Sequence, residues 1–143
     1  MLSLRAAAHT DIGRVRRENE DRFLLEEERM LFGVADGVGG LPGGAEAAQL
    51  AIEQVAAALF ALPRDGTPNL IEIVQHTNRL VAALGERISP AMGIGTTLTI
   101  GCIVGSTLRL GHVGERVRPA HGGSFGRKRG PSATRARRGR LLS

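Results

Sequence analysis

An apolar run that ends at an acid and a glycine-rich segment constrains this chain most strongly. Residues 31–35 are apolar or small, Asp36 follows them, and glycine occupies positions 37, 39 and 40. A short apolar run bounded by glycines is typical of a buried β-strand. Glycine has no side chain, so it lets the backbone approach a neighbouring group closely. The pattern therefore predicts a strand that presents a carboxylate to a bare loop.

A second acidic group lies upstream, where Glu20 and Asp21 follow a pair of arginines by a few positions. Carboxylates held at one site repel each other and are stabilised by a hard cation. We therefore predict that Glu20, Asp21 and Asp36 supply oxygen ligands to one Mg²⁺ or Mn²⁺ site. The Gly37 carbonyl is a further candidate ligand. The guanidinium of Arg16 is a candidate phosphate ligand, because its planar fork matches two phosphate oxygens.

Two interpretations of these residues remain open from the residues alone. Metal ligands beside an arginine, with no candidate nucleophile, favour attack on phosphorus by metal-activated water. In the other interpretation, Glu20 and Asp21 are acids of a surface turn and Arg16 is their ion-pair partner.

Hydrophobic periodicity predicts five β-strands. Residues 2–9 alternate weakly and predict the first strand. Residues 22–26 and 30–35 alternate more clearly and predict a hairpin with a polar turn. Residues 93–104 and 108–113 predict a second hairpin.

Two helices are predicted between the hairpins. The apolar period changes at Gly44, which indicates a helix that ends at Pro63. Thr67 followed by Pro68 is a helix start signal, with threonine as the N-cap and proline at the first helical position. The second apolar stripe then runs to Ile88. The predicted fold class is α+β, with an antiparallel helix pair lying on one sheet.

Length and cysteine content set the remaining limits. The 143 residues suit one domain, and a single cysteine excludes an internal disulfide. Cys102 lies in an apolar run and is predicted to be buried and inert. We find no secretory signal and no apolar run of membrane-spanning length, so we expect a soluble cytoplasmic protein.

The basic charge of the chain is concentrated after Gly114. Of the 19 basic and 14 acidic residues, nine basic and one acidic lie in residues 115–143, a net charge of +8. Residues 1–114 keep ten basic and thirteen acidic residues, a net charge of −3. A mildly acidic body argues against a nucleic-acid-binding fold, so we expect nucleic acid to bind only non-specifically, through the tail.

Residues 115–143 form an Arg/Gly-rich tail without an apolar period, so we expect them to be disordered. An equally open interpretation is a frame-shifted segment, because GC-rich coding DNA read out of frame yields this amino-acid mix. The predicted division is therefore a domain at residues 1–114 and a basic tail at 115–143.

Four segments resemble, in order and spacing, the motifs of the type 2C (PPM-type) metal-dependent serine/threonine protein phosphatases in their bacterial form. They span residues 10–21, 34–40, 95–98 and 112–114. The resemblance covers residues ~3 to 114, which correspond to the N-terminal half of a family catalytic domain. It ends after Gly114, where the family's Asp-Ser-Arg is replaced.

The resemblance implies the first half of an α-β-β-α layered β-sandwich and a site for two Mn²⁺ or Mg²⁺ ions. Asp36 would bridge both ions, the Gly37 carbonyl would bind one, and Glu20 would bind the other. Asp21 would orient a metal-bound water, and Arg16 would hold the substrate phosphate. The reaction implied is hydrolysis of phosphoserine and phosphothreonine in proteins, which a cognate serine/threonine kinase would phosphorylate.

The second-ion shell is incomplete in this sequence. The family's remaining metal-binding aspartates lie in the second half of its domain, and the acids after Asp65 are Glu72, Glu86 and Glu115 alone. We therefore expect a truncated chain with little or no activity. The alternative is a non-catalytic, degenerate phosphatase that binds phosphoproteins or another partner.

Overall fold

The computed structural model describes residues 3–38 and 42–114, and the backbone of residues 137–140. These residues form one antiparallel sheet with strand order β1-β2-β3-β4-β5, and two helices. The predicted α+β class is confirmed. The strands are β1 Asp21–Glu26, β2 Leu31–Gly37, β3 Thr96–Val104, β4 Thr107–Val113 and β5 Arg137–Arg140, and the helices are α1 Gly44–Phe60 and α2 Leu70–Ile88.

Both predicted hairpins are confirmed. β1 pairs with β2 from Asp21 opposite Asp36 to Glu26 opposite Leu31. The Met30 amide donates to the Glu27 carbonyl oxygen at 3.0 Å and closes the turn between these strands. β3 and β4 form the second hairpin, and β3 also pairs with β2. β2 and β3 are therefore interior strands, and their shared end carries Asp36.

Both helices pack on one face of the sheet, α1 over β1 to β3 and α2 over β4. The buried face of α1 is rich in alanine, so its backbone can approach the sheet closely. Neither of the described helices is long and apolar enough to cross a bilayer. The core between the helices and the sheet consists of Leu31, Ala35, Ala47, Ala48, Ala51, Ile52, Val55, Leu59, Leu70, Val74, Val81, Ile94, Leu98, Ile100 and Cys102.

The opposite face of the sheet is partly exposed. Phe23 and Val34, which are cross-strand partners on this face, are 42% and 57% exposed. The Phe32 ring lies where a Cβ on Gly101 would stand, and Leu110 adjoins the same position. The described residues thus provide one helix layer and one sheet layer of the expected sandwich.

The strand expected at residues 2–9 is not present over residues 3–9, and Leu2 lies outside the described residues. A strand requires a ladder of backbone hydrogen bonds with a neighbour. In this segment the Ala6 amide instead donates to the Glu27 side chain at 2.6 Å. The weak alternation therefore did not produce a sixth strand.

The helix boundaries differ from the predicted ones. The Asn69 side chain accepts a hydrogen bond from the Glu72 amide at 3.4 Å and caps α2, so the predicted start at Thr67 and Pro68 is wrong by two residues. α1 ends at Phe60, three residues before Pro63. The Arg29 guanidinium, in the β1–β2 turn, donates hydrogen bonds to the Leu59 and Phe60 carbonyl oxygens at the end of α1.

Part of the predicted tail has regular structure. β5 pairs antiparallel with β4, from Leu110 opposite Arg137 to Thr107 opposite Arg140. The edge of β4 offers unpaired backbone groups that a segment of any composition can satisfy. The expectation of a disordered tail therefore does not hold at these four residues. Residues 115–136 and 141–143 lie outside the described residues, and the division at residue 114 stays a prediction.

Cys102 is buried, as predicted, with 1% of its surface exposed. Burial raises the pKa of its thiol, and the nearby charge of Arg109 opposes that rise. A neutral thiol packed in the core is a poor nucleophile.

Candidate metal and phosphate site

Asp21 and Asp36 stand directly opposite each other at the end of the β1–β2 ladder. Successive side chains of a strand point to opposite faces, and Ala35 is buried against the helices. Asp36 and its partner Asp21 therefore lie on the face of the sheet that the helices do not cover. The sequence predicted both acids, and the structure brings them together.

The surroundings of Asp36 raise the pKa of its carboxyl. Loss of solvation raises the pKa of Asp36, and the negative charge of Asp21 and a hydrogen bond between the two carboxyls raise it further. The positive charge of Arg16 opposes this rise. Two carboxylates on facing strand positions repel each other, so the neutral form of Asp36 is favoured.

Gly37 lies at a junction between β2, Glu20 and α1. Its amide donates to the Glu20 carbonyl oxygen at 3.0 Å, which extends the ladder by one residue pair. A Cβ at Gly37 would collide with the Gly44 carbonyl oxygen and lie 2.9 Å from the Glu20 Cβ. Only glycine fits here, because the start of α1 presses against the end of the strand.

The Glu20 carboxylate lies beside the first turn of α1. Its oxygens are 3.0 and 3.2 Å from the point where a Cβ on Gly44 would stand. Adjacent residues of an extended chain point to opposite faces of a sheet. Asp21 accordingly lies with Asp36 on the uncovered face, whereas Glu20 lies on the helix side. Within residues 3–38 and 42–114, no three Asp, Glu, His or Cys side chains cluster closely enough to hold a metal ion.

The loop before β1 carries Arg16 and is closed by two polar side chains. The Asn19 amide donates to the Thr10 hydroxyl at 3.0 Å, and that hydroxyl lies 3.3 Å from the Asn19 Oδ1. The same Oδ1 accepts a hydrogen bond from the Asp21 amide at 3.0 Å. Arg16 is exposed, and its charge acts on Asp36. The structure therefore places the predicted phosphate ligand near the carboxyl pair.

An open cavity of about 480 Å³ adjoins the two carboxyls. It runs between the N-terminal segment and the ends of the central strands. Substrate-sized groups can reach Asp21 and Asp36 from this side. The lining residues are Ala7, Ala8, His9, Thr10, Asp21, Arg22, Phe23, Val34, Ala35, Asp36 and Thr97.

Comparison with known proteins relates the chain to bacterial phosphatases. No family model matches the sequence. It is 39% identical over 119 residues to the serine/threonine protein phosphatase PstP of Mycobacterium tuberculosis. The matched region covers 80% of this chain and 22% of PstP. A crystal structure of the Mycobacterium tuberculosis phosphatase superposes with a TM-score of 0.67 at 35% identity, over 80% of this chain and 48% of the solved one.

The chain is similar in sequence and fold to part of these bacterial serine/threonine phosphatases. It spans about half the length of the solved chains that it matches and a smaller share of the full PstP sequence. A second structure, the PstP catalytic domain in complex with two manganese ions, superposes with a TM-score of 0.65 at 36% identity over 76% of this chain and 47% of that chain.

The donor atoms of this site fit the hard divalent cations of such a phosphatase. Asp21 and Asp36 are cross-strand partners at the end of the ladder, and the Gly37 carbonyl follows Asp36 in sequence. Carboxylate and carbonyl oxygens are the ligands that Mg²⁺ and Mn²⁺ prefer. The described residues bring no third metal-ligating side chain close enough to this pair to complete a metal-binding cluster.

Two residues that shape the site were not singled out from the sequence. Asn19 fixes the loop that carries Arg16, and Gly44 makes room for both Glu20 and Gly37. Asn19 lay inside the first PPM-like segment and Gly44 at the end of a glycine run. Two signals in the sequence could have identified them. Asn19 directly precedes the acidic pair, and Gly44 is the last glycine before the helical period of α1 begins.

Proposed function

We propose that residues 3–114 form part of the active site of a metal-dependent phosphatase that hydrolyses phosphoserine and phosphothreonine in proteins. The observation that supports this most strongly is the pair Asp21 and Asp36, which are direct cross-strand partners beside Gly37. Homology to a phosphatase whose structure holds two manganese ions supports the same assignment.

Each of the proposed residues has a separate role. Asp36 and the Gly37 carbonyl would hold Mn²⁺ or Mg²⁺. Glu20, whose carboxylate lies beside the start of α1 in this structure, would have to turn toward Asp36 to be the third ligand. Such ions, when bound, supply a nucleophilic water at neutral pH and neutralise charge on the phosphoryl oxygens. Asp21 accepts a hydrogen bond from the attacking water and orients it. Arg16 binds two oxygens of the substrate phosphate with its planar guanidinium.

The activity of a whole phosphatase depends on more than this chain provides in its described residues. The chain matches about half of the solved catalytic domains, and residues 3–38 and 42–114 contain no cluster of three acidic, histidine or cysteine side chains that could hold a metal ion. We therefore propose low turnover for this chain alone. Its substrates would be phosphoproteins, which implies a serine/threonine kinase that makes them.

Manganese titration of the full chain tests the metal assignment. We expect Mn²⁺ to bind and to raise the melting temperature, and we expect Asp36→Ala to abolish both effects. Asp65→Ala is a matched control, because Asp65 is an exposed acid at the other end of α1. If Mn²⁺ does not bind, or binds Asp36→Ala equally well, the proposed metal site is refuted.

Hydrolysis of p-nitrophenyl phosphate with Mn²⁺ tests the catalytic part. We expect slow turnover or none from this chain. Fast metal-dependent turnover that Asp36→Ala abolishes would show that the described residues form a complete catalytic centre, contrary to the proposal.

A non-catalytic phosphoprotein-binding role is the second candidate. The absence of a third metal-ligating side chain near Asp21 and Asp36, within the described ranges, favours it. Arg16 would then be the main determinant of binding. A phosphopeptide that binds the chain equally well after Arg16→Gln would argue against phosphate recognition by this residue.

A further inference from the structure

Three arginines stand close together on the loop before β1. Arg14, Arg16 and Arg17 are all exposed. Within the part of the chain that the structure describes, none of them has a side-chain hydrogen bond or an ion pair. Arg22, by contrast, donates hydrogen bonds to the Gln49 side chain and to the Asn19 carbonyl oxygen. These three side chains therefore offer their charge and their donors to solvent or to a ligand.

The loop that carries these arginines is anchored at both ends. The Thr10–Asn19 hydrogen bonds join its two ends, and the Asp11 carboxylate accepts a hydrogen bond from the Gly13 amide at 2.7 Å. Asn19 also binds the first amide of β1. The arginines thus project from a short closed loop that is fixed to the strand bearing Asp21.

The position of the loop relative to the carboxyl pair follows from Asn19. Asn19, three positions after Arg16, accepts a hydrogen bond from the Asp21 amide, and Asp21 is the cross-strand partner of Asp36, so the loop adjoins the proposed phosphate position. Arg14 lies two positions before Arg16, and Arg17 directly follows it. The part of a substrate next to its phosphorylated residue would therefore pass close to both.

We infer that Arg14 and Arg17 form a specificity surface that favours phosphopeptides with acidic residues next to the phosphorylated residue. The inference rests on the proposed function, because it takes Arg16 as the phosphate ligand. An extended peptide advances about 3.3–3.6 Å per residue, so the two guanidiniums reach acids within about three positions of the phosphate.

The charge distribution of the body favours a peptide over a general polyanion as the ligand. Residues 1–114 have a net charge of −3, although residues 14–17 carry three positive charges. The positive field is therefore local. Val15, which is 94% exposed between the arginines, adds an apolar contact for a peptide side chain.

Fluorescence anisotropy with matched phosphopeptides tests the inference on the full chain. The probes are one phosphothreonine peptide with glutamates on both sides, the same peptide with glutamines, and the unphosphorylated acidic peptide. We expect the acidic phosphopeptide to bind tighter than the neutral one by about two- to fivefold for each arginine engaged. The ratio should shrink as salt is added, because exposed charges are screened.

Variants separate the role of the two arginines from that of Arg16. In Arg14→Gln/Arg17→Gln we expect the ratio of the two affinities to approach one, with affinity for the neutral phosphopeptide nearly unchanged. Arg14→Glu/Arg17→Glu should favour a lysine-flanked phosphopeptide instead. Arg79→Gln, an exposed arginine on α2, is the matched control and should keep the wild-type ratio.

The outcomes that refute the inference are distinct from those that refute the proposed function. Equal affinity of the wild type for acidic and neutral phosphopeptides, or an unchanged ratio in the double glutamine variant, refutes the inference alone. If the unphosphorylated peptide binds as well as its phosphorylated form, phosphate recognition fails, and both proposals are refuted. Binding of random single-stranded DNA that competes equally with all three peptides would show a general anion surface and would also refute the inference.

Discussion

Asp21 and Asp36 are direct cross-strand partners on the face of the sheet that the helices leave uncovered. Like charges opposite each other on neighbouring strands destabilise a sheet. The pair therefore opposes folding when both acids are ionised and no cation lies between them. The same feature that favours metal binding should be measurable as a stability defect in the metal-free chain.

Asp36→Asn should stabilise the metal-free chain at neutral pH. The amide can still donate a hydrogen bond to Asp21, but it carries no charge, so the free energy of unfolding should rise by a few tenths of a kcal/mol. The pKa of Asp36 is raised in the folded chain, so the wild type is most stable while Asp36 is protonated and loses stability as pH rises through that pKa. Urea denaturation with EDTA, from acidic to neutral pH, measures the effect.

The difference between Asp36→Asn and the wild type should therefore grow with pH and vanish in acid. Asp65→Asn is the control, because Asp65 is an exposed acid in the loop between α1 and α2 and not part of a strand pair. This variant should have the stability of the wild type at every pH tested. A variant that is less stable than the wild type at neutral pH would contradict repulsion between Asp21 and Asp36.

Gly37→Ala should destabilise the chain and disturb the candidate site together. The added methyl would collide with the backbone of Gly44, which cannot rotate away as a side chain would. Overpacking typically costs about 1–3 kcal/mol, and we expect the upper part of that range. Chemical denaturation followed by circular dichroism gives the loss.

Gly105→Asn is the control for this substitution. Gly105 has no heavy atom within 4 Å of its Cβ position and a φ of 61°, which asparagine tolerates. It should lose much less stability than Gly37→Ala. Similar losses from both would mean that the contact between β2 and α1 is looser than the structure shows.

The helices and the hairpins could be predicted because their signals are local and periodic. α1 and α2 have one apolar face each, and the strands around Val34 and Ile100 are bounded by polar turns. These patterns fix which element forms. They do not fix the register, so the sequence placed Asp21 and Asp36 just outside the ends of two paired strands without showing that they are direct partners.

Other features depend on contacts that are distant in sequence. The segment at residues 3–9 has a strand-like pattern but no neighbouring ladder, and residues 137–140 form β5 because the edge of β4 is available. Strand alternation, applied to Glu20 and Asp21, would have shown that adjacent acids face opposite sides of a sheet. That all three acids share one metal site therefore stays a prediction, because the structure pairs only Asp21 directly with Asp36.

Asn69→Ala should destabilise the chain more than Thr67→Ala. Asn69 accepts the hydrogen bond from the Glu72 amide that begins α2, and loss of an N-cap side chain costs about 0.5–2 kcal/mol. Thr67 is exposed and lies before the helix, so its removal should cost little. Paired urea denaturation curves for the two variants test the cap directly. A larger loss from Thr67→Ala would restore the helix start predicted from the sequence.

Cys102 should react with a thiol reagent only when the chain opens. The side chain is 1% exposed, and burial raises its pKa, so both access and thiolate formation are suppressed in the folded state. We expect labelling by Ellman's reagent at neutral pH to be at least about a thousandfold slower than in concentrated urea, given the usual stability of small domains. The absorbance of the released thiolate follows the reaction.

A variant with the thiol moved to the surface provides the control for this experiment. Cys102→Ala/Ser106→Cys places a cysteine in the exposed turn between β3 and β4, where it should react as fast as it does in urea. Comparing the two positions separates protection by the core from slow chemistry of the reagent. Cys102 lies on β3 and is shielded from solvent by the core between the sheet and the helices. Rapid labelling of Cys102 in the native wild type would therefore show that this core does not pack as described.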